Sequence, residues 1–328
     1  MTGSATQPRI RIDVLVDDAD RRAELYDATF WSLRSTPREL PAVWLYDERG
    51  SNLFDEITRL PEYYPTCAER EILMARAGEI AERTRGRTLV ELGAGTSEKT
   101  LLLLDALSAA GTLERFVPLD VSEEVLRASA EAIADRYPAI GVHGIVGDFE
   151  RDLAALPPSD GRVIAFLGST VGNLYPARRA KLCEAIAAAL APGDSFLLGV
   201  DLVKDPAVIE LAYNDSRGVT ERFVRNGLTH ANRELRADFA QERFAFEATW
   251  DGDREWIDIG FRAVEGHTVR VAELEIEFAL AEGERPRVEV SSKFRREGIE
   301  AELADAGLRS TGWWTDETAR FALLLATG

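Results

Sequence analysis

Between residues 68 and 202 short apolar runs alternate with longer stretches in which apolar side chains recur every three or four positions. The short runs at 88–92, 116–120, 144–146, 162–167 and 195–200 read as strands. The periodic stretches at 69–83, 99–109, 122–136 and 176–190 read as helices. The runs at 162–167 and 195–200 show no alternation, the pattern of strands covered on both faces. The punctuation agrees. Thr66-Cys67-Ala68-Glu69 has the form of a capping box ahead of the first helix, and Glu123 and Glu124 stand in the first turn of the third. Pro176 stands where a first helical residue should, and Pro192-Gly193 stops the fourth. Strands alternating with helices of this length form βαβ units, and hence a parallel sheet with right-handed crossovers.

Past residue 202 the rhythm changes. Asp205-Pro206 opens a short helix that runs to Tyr213, and a mixed region follows. Residues 254–263 alternate, with Ile257, Ile259 and Phe261 on one face. Residues 269–280 alternate too, but their phase shifts near Ala272, which predicts a β-bulge. Such alternation marks half-exposed, antiparallel strands. A helix over 298–306 and two strands, around Trp313 and over 322–325, close the chain. The expected fold class is α/β. Residues 66–202 plus 291–328 would form a doubly wound sheet domain, and residues 1–65 plus 203–290 a second, α+β lobe.

Composition narrows the function. A chain of 328 residues that is 45% hydrophobic can bury a substantial core. Its formal charge of −18 repels nucleic acid and anionic lipid, so neither is expected as a partner. Cys67 and Cys183 stand far apart, and His143, His230 and His267 are scattered singly. Neither a disulfide framework nor a metal site is expected. The absence of a membrane-spanning or signal-peptide pattern points to the cytoplasm.

The sharpest local signal is the stretch from Val90 to Glu98, with Gly93-Ala94-Gly95 at a strand-to-helix turn. Glycines there let a ligand approach the backbone, although an ordinary tight βα connection can look the same. A dinucleotide fingerprint needs a third glycine where this chain has Glu98, which argues against a pyrophosphate and against NAD. An acidic residue suits a ligand carrying a sulfonium and an amine, as S-adenosylmethionine (SAM) does. Asp120 ends the next strand, where a carboxylate can accept ribose hydroxyls. Asp148-Phe149 follows a third strand, with a carboxylate for the adenine amine and a ring to lie on the base. Gly168-Ser169-Thr170-Val171-Gly172-Asn173 follows a fourth, at the sheet edge where ligands of open α/β sheets bind. Near the end of the chain, Val288 and Val290 face one side of a strand while Glu289 and Ser291 share the other. Beside a cleft, that carboxylate and hydroxyl could meet the two nitrogens of a ring; otherwise they belong to a solvated edge.

Four segments together carry a resemblance to a known family: Val90 to Thr100, Thr58 to Thr66 with its Tyr63-Tyr64-Pro65-Thr66 core, Phe166 to Leu174, and Ser291-Ser292-Lys293-Phe294. The chain is similar, over nearly all of residues 30 to 328, to the histidine-specific SAM-dependent methyltransferases. The YYPT and SSKF stretches are specific to that family, whereas the GxG turn is shared by SAM enzymes at large. The resemblance implies a class I SAM-methyltransferase-type sheet with a substrate-binding lobe. It also implies an enzyme that moves three methyl groups from SAM to the α-amine of L-histidine, through the mono- and dimethyl forms; a monomer is expected. The product would be trimethylhistidine (hercynine), for ergothioneine biosynthesis. Carried over by motif, Tyr46 lies near the amine and the cofactor, and Tyr63, Asn173 and Tyr213 surround the amino-acid head group. Tyr46, Tyr63 and Asn173 are the catalytic set. Glu289 and Ser291 meet the imidazole, and Ile259 stands where the family carries Met. Gly93, Gly95, Lys99, Asp120, Asp148, Phe149 and Gly168 fall on the cofactor side. The alternatives are a SAM-dependent N-methyltransferase of another amino acid or small amine, and a catalytically silent SAM-binding module.

Overall fold

A computed structural model describes residues 9–15, 18–95, 99–158 and 160–328. Among them the chain runs β1 (Ile10–Val14), α1 (Asp18–Arg34), α2 (Glu48–Thr58), α3 (Tyr64–Thr84), β2 (Thr88–Leu92), α4 (Thr100–Ala109), β3 (Arg115–Asp120), α5 (Glu123–Arg136), β4 (Gly141–Val146), β5 (Arg162–Phe166), α6 (Pro176–Ala189) and β6 (Ser195–Asp201). It continues with α7 (Pro206–Tyr213), α8 (Val219–Leu235), β7 (Phe244–Asp251), β8 (Trp256–Ala263), β9 (His267–Val271), β10 (Ile276–Leu280), β11 (Arg287–Ser292), α9 (Arg296–Asp305), β12 (Arg309–Thr315) and β13 (Phe321–Thr327).

Eight strands form one sheet in the order β1-β4-β3-β2-β5-β6-β13-β12. β1 to β6 are parallel neighbours, whereas β13 runs antiparallel to β6 and β12 antiparallel to β13. β5 and β6 are buried at every position, as their unbroken apolar runs require, and so is β2, although it carries Thr88 and Glu91. Helices α3, α4 and α5 cover one face through Ile72, Leu104 and Ile133. Helices α6 and α9 cover the other through Ile186 and Leu303. The strand order reverses between β2 and β5, so a crevice opens at their carboxyl ends, where such folds bind ligands.

The second lobe has its own core, built from α2, α7, α8, the sheet β11-β8-β7 and the hairpin β9-β10. Helix α8 lays Phe223, Val224, Leu228 and Ala231 into that core. Gly227 stands where a Cβ would come within 2.8 Å of the Leu45 side chain, so α8 presses closely on the 3₁₀ turn Ala42–Leu45.

Four expectations need correction. β1 pairs with β4 at the edge of the large sheet, so residues 10–14 belong to the sheet domain and not to the second lobe. The proposed boundary at 290/291 falls inside β11, which pairs with β8 up to Ser292. The phase shift at Ala272 is not a bulge. It is a 3₁₀ turn, Ala272–Leu274, followed by Glu275 at φ +52°, and it folds β10 back on β9. A reversal shifts the phase of alternation as a bulge does, so periodicity alone cannot separate them. The capping box also fails. α3 starts at Tyr64 with Pro65 in its first turn and no side-chain cap, and Glu69 is buried with its carboxylate turned to other partners.

Candidate active site

The glycine turn after β2 is held by its neighbour strand. Gly93 and Ala94 donate backbone N–H groups to the Leu119 carbonyl at 2.9 and 3.3 Å. Gly93 and Gly95 sit at φ +66° and +49°, a region that favours glycine. Among the described residues a Cβ at Gly95 would meet nothing within 4 Å, and one at Gly93 only the Phe149 ring at 3.9 Å, so the turn faces open space there. Asp120 accepts from Gly95 N at 2.8 Å and from Ser122 N at 2.9 Å. A carboxylate has about four acceptor positions, so among the described residues two remain for a ribose diol. Phe149 leans on Phe166 with ring centroids 5.0 Å apart. Asp148 accepts from Glu150 N at 2.9 Å and lies 3.4 Å from the Arg151 guanidinium, so it shapes the turn after β4. Glu98 lies outside the described residues.

Lys99 joins this group by a route that the sequence did not suggest. Its ammonium pairs with the buried carboxylate of Glu69, which also accepts from Gly168 N at 2.8 Å. Glu69 therefore ties the loop after β2 to the loop after β5. The cradle of open glycines, the free acceptor positions on Asp120 and the aromatic face of Phe149 fit a nucleoside with a charged amino-acid tail.

The loop after β5 makes the link to the second lobe. Gly168 and Ser169 take φ +76° and +57°, and a 3₁₀ turn, Thr170–Asn173, follows. A Cβ on Gly172 would lie 2.8 Å from the Ser292 carbonyl, so only glycine lets this turn press against β11. That contact delivers Asn173, whose Nδ2 donates to Glu289 Oε1 at 2.9 Å.

Along β11, Glu289 and Ser291 share a face, as the alternation requires. Ile259 is the direct cross-strand partner of Glu289, and directly opposed residues stand on one side of a sheet. Carboxylate and apolar wall are thus adjacent. Burial pushes the Glu289 carboxyl up to about 7, against the opposing pull of Lys293. Tyr213 OH lies 2.9 Å from Ser291 Oγ, and the Tyr63 ring stands edge-on to Tyr213 at 6.0 Å. Tyr46 follows the 3₁₀ turn Ala42–Leu45, edge-on to Phe54 and Phe223. It is placed by Asp47, which caps α2 through Gly50 N at 2.9 Å and accepts from Asn226 of α8 at 2.7 Å. Tyr46 keeps 43% of its surface exposed. Desolvation of its buried hydroxyl end, reinforced by Glu289, Tyr63 and Tyr213, holds the phenol well above 10. Burial likewise holds Tyr63 and Tyr213 well above 10.

Behind Ser291 lies a charged network with no counterpart in the sequence reading. Asp201 is fully buried at the end of β6. It accepts from Tyr64 OH at 2.8 Å, from Lys204 at 2.5 Å and from Lys293 at 2.9 Å. Burial lowers both ammonium groups, Lys204 to about 8, against the raising effect of Asp201. Among the described residues no helix is long and apolar enough to cross a membrane, and no cluster of three His, Cys, Asp or Glu side chains gathers as metal ligands.

A stability test follows from Glu289. Its folded-state pKa lies above the ordinary carboxyl value of 4.5, so its neutral form is favoured by folding and that benefit is lost as pH rises through about 7. In the ligand-free protein, Glu289→Gln should gain thermal stability relative to the wild type between about pH 5 and pH 8. Melting curves that stay parallel across that range would place Glu289 in bulk-like solvent.

The comparisons agree with this geometry. The profile of the family described as histidine-specific, SAM-dependent methyltransferases matches residues 25–328. A histidine N-alpha-methyltransferase of Mycolicibacterium smegmatis is 51% identical over 294 residues, covering 90% of this chain and 92% of that one. A protein of the same name from Mycobacterium tuberculosis is 50% identical over 95% of this chain and 97% of its own length. Ergothioneine biosynthesis protein 1 of Neurospora crassa is 34% identical over 85% of this chain, but over only 32% of its own longer one. The chain belongs to the histidine-specific, SAM-dependent methyltransferase family.

Proposed function

We propose that this protein transfers three methyl groups from SAM to the α-amine of L-histidine and releases hercynine for ergothioneine biosynthesis. The observation that most supports this is the face of β11 that Glu289 and Ser291 share, with Glu289 opposite Ile259 and bonded to Asn173. In this reading the sheet domain holds SAM and the second lobe holds histidine, with Tyr63, Asn173 and Tyr213 around the head group. Glu289 and Ser291 take the ring nitrogens, and Ile259 takes the ring face. Gly93, Gly95, Lys99, Asp120, Asp148, Phe149 and Gly168 serve the cofactor, and the enzyme works as a cytoplasmic monomer.

When bound, SAM supplies an electrophilic methyl group on a sulfonium. The chain's part is alignment and exclusion of water. An α-amine is largely protonated near neutral pH, with a typical pKa near ~8. The three tyrosines cannot serve as strong bases there, because all are held well above 10 as neutral phenols. A neutral phenol or amide oxygen can still accept one N–H of the amine, orienting the lone pair while water carries the proton away. Aromatic surfaces at Tyr46, Tyr63 and Phe54 tolerate added methyl groups and attract the developing cation.

The test is turnover with SAM and each amino acid, followed by mass spectrometry. Histidine should be converted to a species carrying three added methyls, with little mono- or dimethyl product released. Dimethylhistidine should be used at least as well as histidine. Monomethylhistidine as the sole end product would sink the proposal, as would equal turnover of another amino acid.

A further inference from the structure

Lys293 is buried, and its ammonium lies 2.9 Å from Asp201 Oδ2, 2.8 Å from Tyr213 OH and 2.9 Å from Ser291 Oγ. An ammonium has three N–H donors and no acceptor, so these three contacts use it completely, and both hydroxyls accept from it. Each hydroxyl keeps one hydrogen to give. They lie 2.9 Å apart, so one of those hydrogens bonds the other oxygen and one is left over. Tyr213 also takes a side-chain hydrogen bond from Tyr63, which together with Lys293 fills its acceptor positions, so Tyr213 donates to Ser291. Ser291 Oγ is then filled by two incoming hydrogen bonds, and its own hydrogen is the one turned to the cleft.

We infer that Lys293 sets the hydrogen-bond polarity of the ring-binding face: it makes Ser291 an obligate donor beside the acceptor Glu289. The inference rests on the proposed histidine site and deepens it. A neutral imidazole carries one N–H and one bare nitrogen, so it matches a face with one acceptor and one donor. An aromatic hydrocarbon ring satisfies neither, and an imidazolium, with two N–H groups, leaves the serine hydrogen opposed by another donor. A face with two acceptors or two donors would read a different ring. Lys293 touches no substrate in this arrangement; it is a positioning residue that acts through Ser291.

A double-mutant cycle tests this on the intact enzyme saturated with SAM. Wild-type turnover of histidine comes first, and its failure would remove the proposed function without reference to Lys293. Lys293→Met leaves Asp201 with Tyr64 and Lys204, so the fold should survive. It should raise the KM for histidine about tenfold with kcat changed by less than about threefold, the pattern of a lost binding interaction. Ser291→Ala should do the same. If Lys293 acts through Ser291, the double variant should be no worse than the weaker single variant, because the donor is already gone. Multiplied effects, on the order of a hundredfold, would show that Lys293 acts independently, as would a fall in kcat at unchanged KM. Should Lys293→Met not fold, Lys293→Gln takes its place in the same cycle with the same expectation of non-additivity.

Discussion

Glu289→Ala is expected to lose methylation of histidine and, at the same time, to relax the exclusion of apolar and indole side chains. The carboxylate stands on a strand face against Ile259 and accepts from Asn173, in surroundings poor enough in water to push its pKa to about 7. A substrate without a ring N–H leaves the carboxylate oxygen not taken by Asn173 unpaired, and sites of this kind reject such analogues by factors of roughly 10⁴. Truncation removes both the reward for the N–H and the penalty for its absence. It also enlarges a pocket already walled by Ile259, so tryptophan gains most. The comparison is kcat/KM for histidine, phenylalanine and tryptophan in both proteins. A variant that keeps the wild-type preference for histidine would mean the ring is read elsewhere.

Asp201→Ala should be among the most destabilising single substitutions in the protein. The carboxylate is completely buried and accepts from Tyr64, Lys204 and Lys293. Removing it leaves the Lys293 ammonium without its counter-ion in a site whose side chain is 0% exposed. Breaking a buried pair from one side costs about 3–5 kcal/mol. Denaturant unfolding at neutral pH should show that loss in the midpoint with little change in slope. Asp201→Asn, which keeps acceptor oxygen and volume, should lose less. A midpoint within about 0.5 kcal/mol of wild type for Asp201→Ala would mean the lysines find other partners at no cost.

The parts of the molecule that were legible in the sequence are those whose signal is local. The glycine turn at 93–95, Pro176 at a helix start and the unbroken apolar strands at 162–167 and 195–200 are each written in a few consecutive residues. The alternation that puts Glu289 and Ser291 on one face is equally local. What stayed hidden depends on partners distant in the chain. Glu69 fits a capping box by spacing, yet its carboxylate is drawn to Lys99 and Gly168, 30 and 99 positions away. Asp201 reads as a strand terminus, and only the fold brings Tyr64 to it across 137 positions. Lys293 sat inside a motif that carried the resemblance, but its role depends on Tyr213 and Asp201. Helix α8 lies in the mixed region past residue 213, where Asn226 and Gly227 weaken local helix propensity, Gly by about 1 kcal/mol relative to Ala. The structure supplies the reason for both residues: Asn226 holds Asp47, and Gly227 admits Leu45. The edge strand β1, of five residues, is too short for its alternation to stand out from the lobe that follows it.

The most direct measurement is the position of the methyl groups on the product made from SAM and L-histidine, read by proton NMR with the ring signals as internal reference. Methylation of the α-amine to completion gives one sharp singlet for three equivalent N-methyl groups, a shifted Cα proton and an unmodified imidazole. A methyl resonance coupled in space to a ring C–H, with the Cα proton unmoved, would mean that the imidazole faces the cofactor and that Glu289 and Ser291 hold the other end of the substrate.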